Sequence, residues 1–297
     1  RYLKEFLSDR RVIEVNKILW FFVLNLIILN VRPSKSAAAY REVWINDTNK
    51  SPLRHYTELQ KNKLAQKIKS SNVIVDYAMR YGNPSIKERI SSLQKKGCEK
   101  LIILPLYPQY AAATTASVCD EVYRSLIKMR WQPSLQVVPH YESEPLYINA
   151  LANSIKKKMK SLSWHPDIII ASFHGIPKRY FVNGDPYHCY CMKTTRLLTE
   201  KLKLKIPIIT TFQSRFGPEE WLTPYTEDTL KNSKGKNILL ICPGFSSDCL
   251  ETLEEINIRV KDLFKKNKGK NFAYVECLND NNDHIKLLSH LIKRYLM

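Results

Sequence analysis

Residues 167–177 read DIIIASFHGIP, an apolar run broken only by Ser172 and followed at once by His174, Gly175 and Pro177. A continuous run of this kind, rich in β-branched side chains, suits a strand covered on both faces, as in a parallel sheet. The Gly and Pro after it mark the strand's end. The same text recurs on either side as LIILPL at 101–106 and ILLIC at 238–242. Working outward, strands are expected at Val73–Tyr77, Leu101–Leu106, Leu135–Pro139, Asp167–Phe173, Pro207–Phe212, Asn237–Cys242 and Phe272–Cys277. Amphipathic helices are expected between them, at Pro84–Lys96, Thr115–Met129, Glu144–Leu162, Tyr187–Leu204, Pro218–Lys231 and Asp248–Lys266. Strands alternating with helices make an open, doubly wound α/β architecture. Pro139–Glu144 reads as a hinge between two such halves, 1–140 and 141–279.

The chain has 297 residues, enough for two domains. Its 44% hydrophobic content can fill real cores. The net charge of +19 would suit a polyanion, an anionic membrane or an acidic ligand. Its lysines are scattered along helices, and neither an RNA-binding aromatic signature nor a Cys/His finger accompanies them, so no nucleic-acid partner is expected. Seven cysteines without framework spacing read as reduced thiols of a cytoplasmic protein. His188-Cys189-Tyr190-Cys191 is too sparse for a structural zinc site, which wants four ligands.

Ile18–Leu29 (ILWFFVLNLIIL) is the one long apolar run. It falls short of the roughly 20 residues that span a bilayer, and it lacks the brackets of a signal peptide. Two readings stay open: a buried core helix, or an exposed apolar lip. Before it, RYLKEFLSDRR opens at Arg1 in text that already reads as mid-helix, with Tyr2, Leu3 and Phe6 on one face.

In open α/β sheets, ligands gather beyond the carboxyl ends of strands. Asp248, Glu251 and Glu255 follow such an end, spaced to share one helix face. The same spacing is also a helix-start capping pattern, with acids near the positive N-terminus. His174 ends another strand. Imidazole with carboxylate suits a divalent metal such as Fe(II), and imidazole also accepts protons near neutral pH.

Four segments carry a family resemblance: LPLYPQYAAATTAS, SFHGIPKRYFVNGDPYHCYC, TTFQSRFGPEEWLTPYTEDTL and PGFSSDCLETLEEI. In order and separation they resemble the signature segments of ferrochelatases of bacterial type, enzymes that insert Fe(II) into protoporphyrin IX. The similarity runs the length of the chain. It implies two Rossmann-like domains with parallel sheets facing each other across a cleft, residues 280–297 forming a helix that returns to the first domain. It makes His174 and Glu251 the catalytic and metal-handling pair, and Asp248 and Glu255 companions in a path for metal or protons. Arg32, Tyr40 and Ser51 match positions that contact porphyrin propionates, a sensible use of a guanidinium and hydroxyls. Arg80, Tyr81, Tyr107 and Trp221 match porphyrin-pocket positions. Trp20, Phe21, Phe22, Leu24, Ile27 and Ile28 resemble the apolar lip of the pocket mouth, which would pack on the macrocycle and touch membrane at its inner face.

Three departures stand out. The family's first strand and a glycine-bearing loop would lie ahead of Arg1. Cys249 stands where some members have a histidine. Ala112 and the lone C-terminal Cys277 do not match the cysteines that hold an iron–sulfur cluster in some members. The resemblance therefore implies Fe(II) as substrate, no tightly bound cofactor and no cluster. Its rivals are a chelatase for another tetrapyrrole, and a porphyrin carrier without turnover.

Overall fold

The computed structural model describes residues 2–296 and contains two parallel sheets. The first pairs β1 (Lys100–Ile103) with β2 (Ser134–Val137). The second holds β3 (Ile168–His174), β4 (Ile208–Gln213), β5 (Asn237–Ile241) and β6 (Asn271–Val275) in the order β4-β3-β5-β6. Period-two alternation divides the inner strand β3 between two cores. Ile169, Ala171 and Phe173 pack toward Ala152, Ile155 and Leu198 of the helices Pro145–Ser161 and Tyr187–Leu202. Ile170 faces the opposite layer with Leu230, Ile256, Val260 and Phe264.

The strand order positions the site. From β3 the chain passes to β4 on one side, then crosses back to place β5 on the other. Connections therefore diverge at the carboxyl ends of β3 and β5, the crevice where doubly wound sheets bind ligands. His174 closes β3, and the segment Cys242–Leu250 leaves β5 beside it.

The helix Asn282–Lys293 starts from an Asn281 cap that accepts from the His284 N–H at 2.8 Å. It buries Ile285 and Leu288 with Leu64 of the helix Pro52–Ile68, and Leu287 and Leu291 in the large core, joining both halves.

Three expected elements differ. Val73–Tyr77 joins no ladder; Val75 packs with Leu104, Leu64 and Leu288, so the apolar pattern reports burial rather than strand pairing. The helix expected from Pro218 is confined to Thr226–Lys231, because Trp221 and Tyr225 bridge to Pro177 and Phe212 and hold that stretch extended. The helix expected at Asp248–Lys266 is a π-helix over Glu251–Val260, continuing as α-helix over Lys261–Lys266.

The apolar run is not a core helix. Lys17–Phe22, the π-helical Val23–Ile28 and Leu29–Glu42 form one continuous 26-residue helix, long and apolar enough to cross a membrane by length and composition alone. Phe21 is 61% exposed and Phe22 54%, whereas Leu24 is buried and Trp20 is anchored through Nε1–H to the Leu7 carbonyl at 2.7 Å.

Candidate functional site

One continuous cavity of about 2060 Å³ opens between the sheets. Its wall includes His174, Glu251, Glu255, Arg32, Tyr40, Ser51, Arg80, Tyr81, Tyr107 and Trp221. The structure thus brings together residues that lie up to 223 positions apart, from Arg32 to Glu255.

His174 is half-buried, paired in register with Gln213 of β4. Its Nδ1 lies 2.6 Å from the Gly175 carbonyl oxygen. A carbonyl only accepts, so Nδ1 carries a proton, and in the neutral ring the lone pair is on Nε2. The backbone passes close to its neighbours at Gly175. A Cβ on it would stand 3.0 Å from the Gln213 carbonyl oxygen and 3.1 Å from Cε3 of Trp221. Trp221 closes over this turn, buried, its indole N–H without a partner.

Gln213, which the sequence reading missed, ties the histidine strand to the π-helix. Its Nε2 donates to the Glu251 carbonyl at 3.0 Å, while Ser172 Oγ donates to its Oε1 at 2.7 Å. Ser214, also missed, has φ +66°, a left-handed conformation uncommon outside glycine. That turn aims both its donors at one carboxylate: N–H to Glu255 Oε1 at 2.9 Å and Oγ–H to Oε2 at 2.6 Å. Burial nevertheless holds the Glu255 pKa above the usual carboxylate value, against the Ser214 bonds and the charges of His174 and Arg259. No sequence signal marks Ser214, because its role comes from a backbone angle.

Glu251 opens the π-helix, half-buried at the cavity wall. Burial pushes up the hydroxyls of Tyr40 and Tyr107; the Glu251 charge adds to this at both, and at Tyr107 the Arg80 charge opposes it more strongly than Glu251 adds. Cys249, likewise raised by burial and then by Glu251, stands beside them. These groups keep their protons, and the Glu251 side chain stands among them on the cavity wall.

Asp248 requires a correction. It is buried and does not line the cavity. Its Oδ1 accepts from Thr252 Oγ1 at 3.0 Å and Tyr274 OH at 2.7 Å, and its Oδ2 from Asn279 Nδ2 at 2.6 Å. None of these donors is a backbone N–H of the helix start, so Asp248 ties the turn to the segment after β6 rather than capping the helix, while Glu251 and Glu255 line the cleft.

Arg80 is committed as well. It pairs with the buried Asp9 and donates from Nε to Ser117 O at 2.9 Å and Oγ at 2.7 Å. Tyr81 OH joins the same Asp9 at 2.8 Å. Despite burial, bonds from the Ser117 hydroxyl, the Arg11 backbone N–H and Tyr81, together with the Arg80 charge, hold the Asp9 carboxyl below its ordinary pKa. Arg80 and Tyr81 thus build the wall rather than offer a free cation. Arg32 is exposed and stands 5.6 Å over the Phe216 ring. Ser51 caps the helix Pro52–Ile68 by position, yet its side chain makes no capping bond. Of the lip residues, Trp20 and Ile28 line the cavity; Phe21, Phe22 and Ile27 point to solvent. His188 is wedged between Phe181 and Phe212, Cys191 is buried and Cys189 exposed. Among the described residues, no three His, Cys, Asp or Glu side chains form a group that could hold a metal ion by themselves.

The ferrochelatase family matches residues 1–296 of this chain. A ferrochelatase of Allorhizobium ampelinum is 54% identical over 301 residues, covering 100% of this chain and 88% of that protein. One from Francisella tularensis subsp. holarctica is 52% identical over 297 residues, covering 98% and 89%. Among solved structures, the sirohydrochlorin chelatase SirB of Bacillus subtilis subspecies spizizenii, in complex with cobalt, superposes with a TM-score of 0.60. It is 12% identical, with 82% of this chain and 91% of that one covered, a likeness of fold alone.

Proposed function

The chain belongs to the ferrochelatase family and is a metal chelatase that inserts Fe(II) into protoporphyrin IX to form protohaem; from that premise we propose that His174 and Glu251 face each other across the reacting centre of this cavity. The observation that carries this reading is the His174 Nδ1 contact with the Gly175 carbonyl, which in the neutral ring puts the lone pair on Nε2 of a residue that lines the cavity. Metallation expels two pyrrole protons for each ion that enters, so the site needs an acceptor and an exit. His174 Nε2 takes a pyrrole proton, and Glu251 meets the metal and passes charge outward, with Glu255 behind it. The pyrrole nitrogens supply the remaining donors to the iron, so a substrate ion needs no closed protein cage.

The flat macrocycle lies against Tyr107 and Trp221, within the wall that Arg80 and Tyr81 stiffen. Its propionates reach Arg32, Tyr40 and Ser51, where the uncapped helix N-terminus adds N–H donors suited to a carboxylate. Bending the ring to present its lone pairs costs roughly 1–5 kcal/mol, offset by these remote contacts. We also propose that the enzyme works without an iron–sulfur cluster or other resident cofactor. The buried Cys277, beside the Tyr274 hydroxyl at 3.4 Å, fits a core thiol better than a cluster ligand. The protein is cytoplasmic on this reading, has no nucleic-acid partner, and touches the inner membrane face through its lip. The apolar helix is fastened to the body through the buried Leu24 and the Trp20 bond to the Leu7 carbonyl, which favours lying at the interface over spanning.

Glu251→Gln tests the centre. A glutamate that only supports the helix start keeps its hydrogen-bonding capacity in Gln, so turnover would survive. A metal and proton partner loses its charge, and anaerobic haem formation should fall roughly 10²-fold or more with little change in Tm. Unchanged kinetics would return Glu251 to a structural role.

A further inference from the structure

Gln60 joins the two halves of the molecule through its side chain. It sits in the third turn of the helix Pro52–Ile68, 2% exposed, on the wall of the cavity. Its Nε2 donates to three oxygens of the other half: the Ser246 carbonyl at 3.2 Å, Ser247 Oγ at 2.7 Å and the Asn279 carbonyl at 2.9 Å. Two of these neighbours are carbonyls, which only accept, so the amide can face them with its nitrogen alone. Its Oε1, also buried, has no hydrogen-bond partner. The contacts lead to Glu251 in a few steps. Asn279 grips Asp248 twice, its Oδ1 accepting from the Asp248 N–H at 2.8 Å and its Nδ2 donating to Oδ2 at 2.6 Å. Asp248 Oδ1 in turn accepts from Oγ1 of Thr252, the residue after Glu251.

Stability alone does not call for a glutamine here. Leu64, one turn further along the same helix, already packs the halves together with Ile285 and Leu288. A buried amide whose acceptor goes unsatisfied works against stability. What it adds is direction: three convergent acceptors hold the helix and the turn into the π-helix at one separation and one angle.

We propose that Gln60 is a positioning residue for metallation, which sets where Glu251 stands relative to a porphyrin anchored on the helix that carries Gln60. The inference rests on the reading of Glu251 as the metal and proton partner and of Ser51 as a propionate contact. Ser51 lies at the N-terminus of that helix, nine residues before Gln60 and about 14 Å away along the axis. One rigid helix thus carries the porphyrin's carboxylate anchor at its start and the support of the glutamate in its third turn. Gln60 acts through Ser247, Asn279 and Asp248, and it fixes the spacing between anchor and glutamate before either substrate arrives.

Anaerobic haem formation with Fe(II) and protoporphyrin varied separately, beside melting curves, tests it. Gln60→Leu removes both donors and keeps a side chain of similar size. Its kcat should fall roughly ten- to hundredfold, the scale for a misplacement of about an ångström at a reacting group, while both KM values hold. Gln60→Glu keeps acceptors and loses the donors, so it should be as slow as Gln60→Leu. Should Gln60→Leu not fold, Ser247→Ala carries the test: it removes the shortest of the three bonds and should lower kcat alone, to a lesser extent. Because Gln60 acts through Glu251, adding Gln60→Leu to Glu251→Gln should slow that variant little further, whereas independent losses would multiply. A parent-like kcat in Gln60→Leu or Gln60→Glu, with or without a lowered Tm, overturns the proposal, as do a raised porphyrin KM at unchanged kcat and losses that multiply in the double variant. Glu251→Gln by itself separates the premise. Retained turnover there means that the centre is misassigned, whereas a slow Glu251→Gln beside a parent-like Gln60→Leu refutes the positioning role alone.

Discussion

At the scale of single residues, a carboxylate's role follows from what donates to it. Asp248 accepts from Thr252, Tyr274 and Asn279 within 2.6–3.0 Å while almost fully buried. Asp248→Ala would leave those donors unsatisfied, each such loss costing about 1–3 kcal/mol before relaxation. We expect a loss of about 2–4 kcal/mol by denaturant unfolding, a change at the exceptional end for one substitution. The Fe(II) KM of the folded fraction should match the parent's. A selective rise in that KM at unchanged stability would put Asp248 back on the metal path. Spacing alone placed Asp248, Glu251 and Glu255 on one face and offered both a capping and a chemical reading. What separates them is Asn279 and Tyr274, partners about 30 residues downstream that no local pattern reveals. Ser214 was equally out of reach, since its function lies in a φ of +66°. His174 was legible because a strand-end histidine before Gly-Ile-Pro is marked by its neighbours.

At the scale of elements, the apolar runs of β3, β5 and β1 located the sheets to within a few residues, because double-sided burial writes itself as unbroken hydrophobic text. Winding is not written that way: an i→i+5 helix and an α-helix share nearly the same apolar stripe, so the π-helices Val23–Ile28 and Glu251–Val260 read as ordinary helix. Nor is pairing, as the ladderless Val73–Tyr77 shows. The helix Asn282–Lys293 carries a testable consequence of burial. His284, in its first turn, is buried with Nδ1 2.6 Å from the Asn279 carbonyl, and burial lowers its pKa to about 4. The positive helix terminus also disfavours a charged imidazole there. With an unfolded value near 6.5, the folded state resists protonation; its contribution is complete above about pH 6.5 and is lost as pH falls toward 4. The difference amounts to about 3 kcal/mol. Asp9, Glu58 and Glu142 have lowered carboxyl pKa values, so their stabilisation fades chiefly below this window. Melting curves from pH 7 to 4.5 should show a falling Tm in the parent and a shallower fall in His284→Gln. His188, also lowered by burial, keeps its share in both. Parallel slopes would remove His284 from the acid response.

At the scale of the whole molecule, the cavity mouth is bordered by an apolar surface with no counterpart in the cores. Ile18, Leu19, Phe21, Phe22, Leu26 and Ile27 are each more than half exposed on one helix, while Leu24 and Trp20 fasten that helix to the body. A patch of this kind is costly in water unless something covers it, and the net charge of +19 biases the covering toward an anionic surface. Phe21→Ser with Phe22→Ser distinguishes the two readings that the sequence left open. In a core helix, the pair of changes would open cavities and bury two hydroxyls, with a loss of several kcal/mol. On an exposed lip, little buried area is removed, and Tm should stay within a few degrees of the parent. Binding to vesicles is where the rings count: each aromatic inserted into the interface contributes about 1–2 kcal/mol, so the double variant should lose roughly 30-fold or more in partitioning. Co-sedimentation with vesicles containing anionic phospholipid should fall accordingly, and the porphyrin KM should rise, because a poorly soluble macrocycle is collected at the same surface. The KM for Fe(II) should not follow, since Phe21 and Phe22 are exposed and do not line the cavity. A collapsed Tm would mean that the helix is packed against something in solution, and unchanged sedimentation would mean that the patch meets a partner other than lipid.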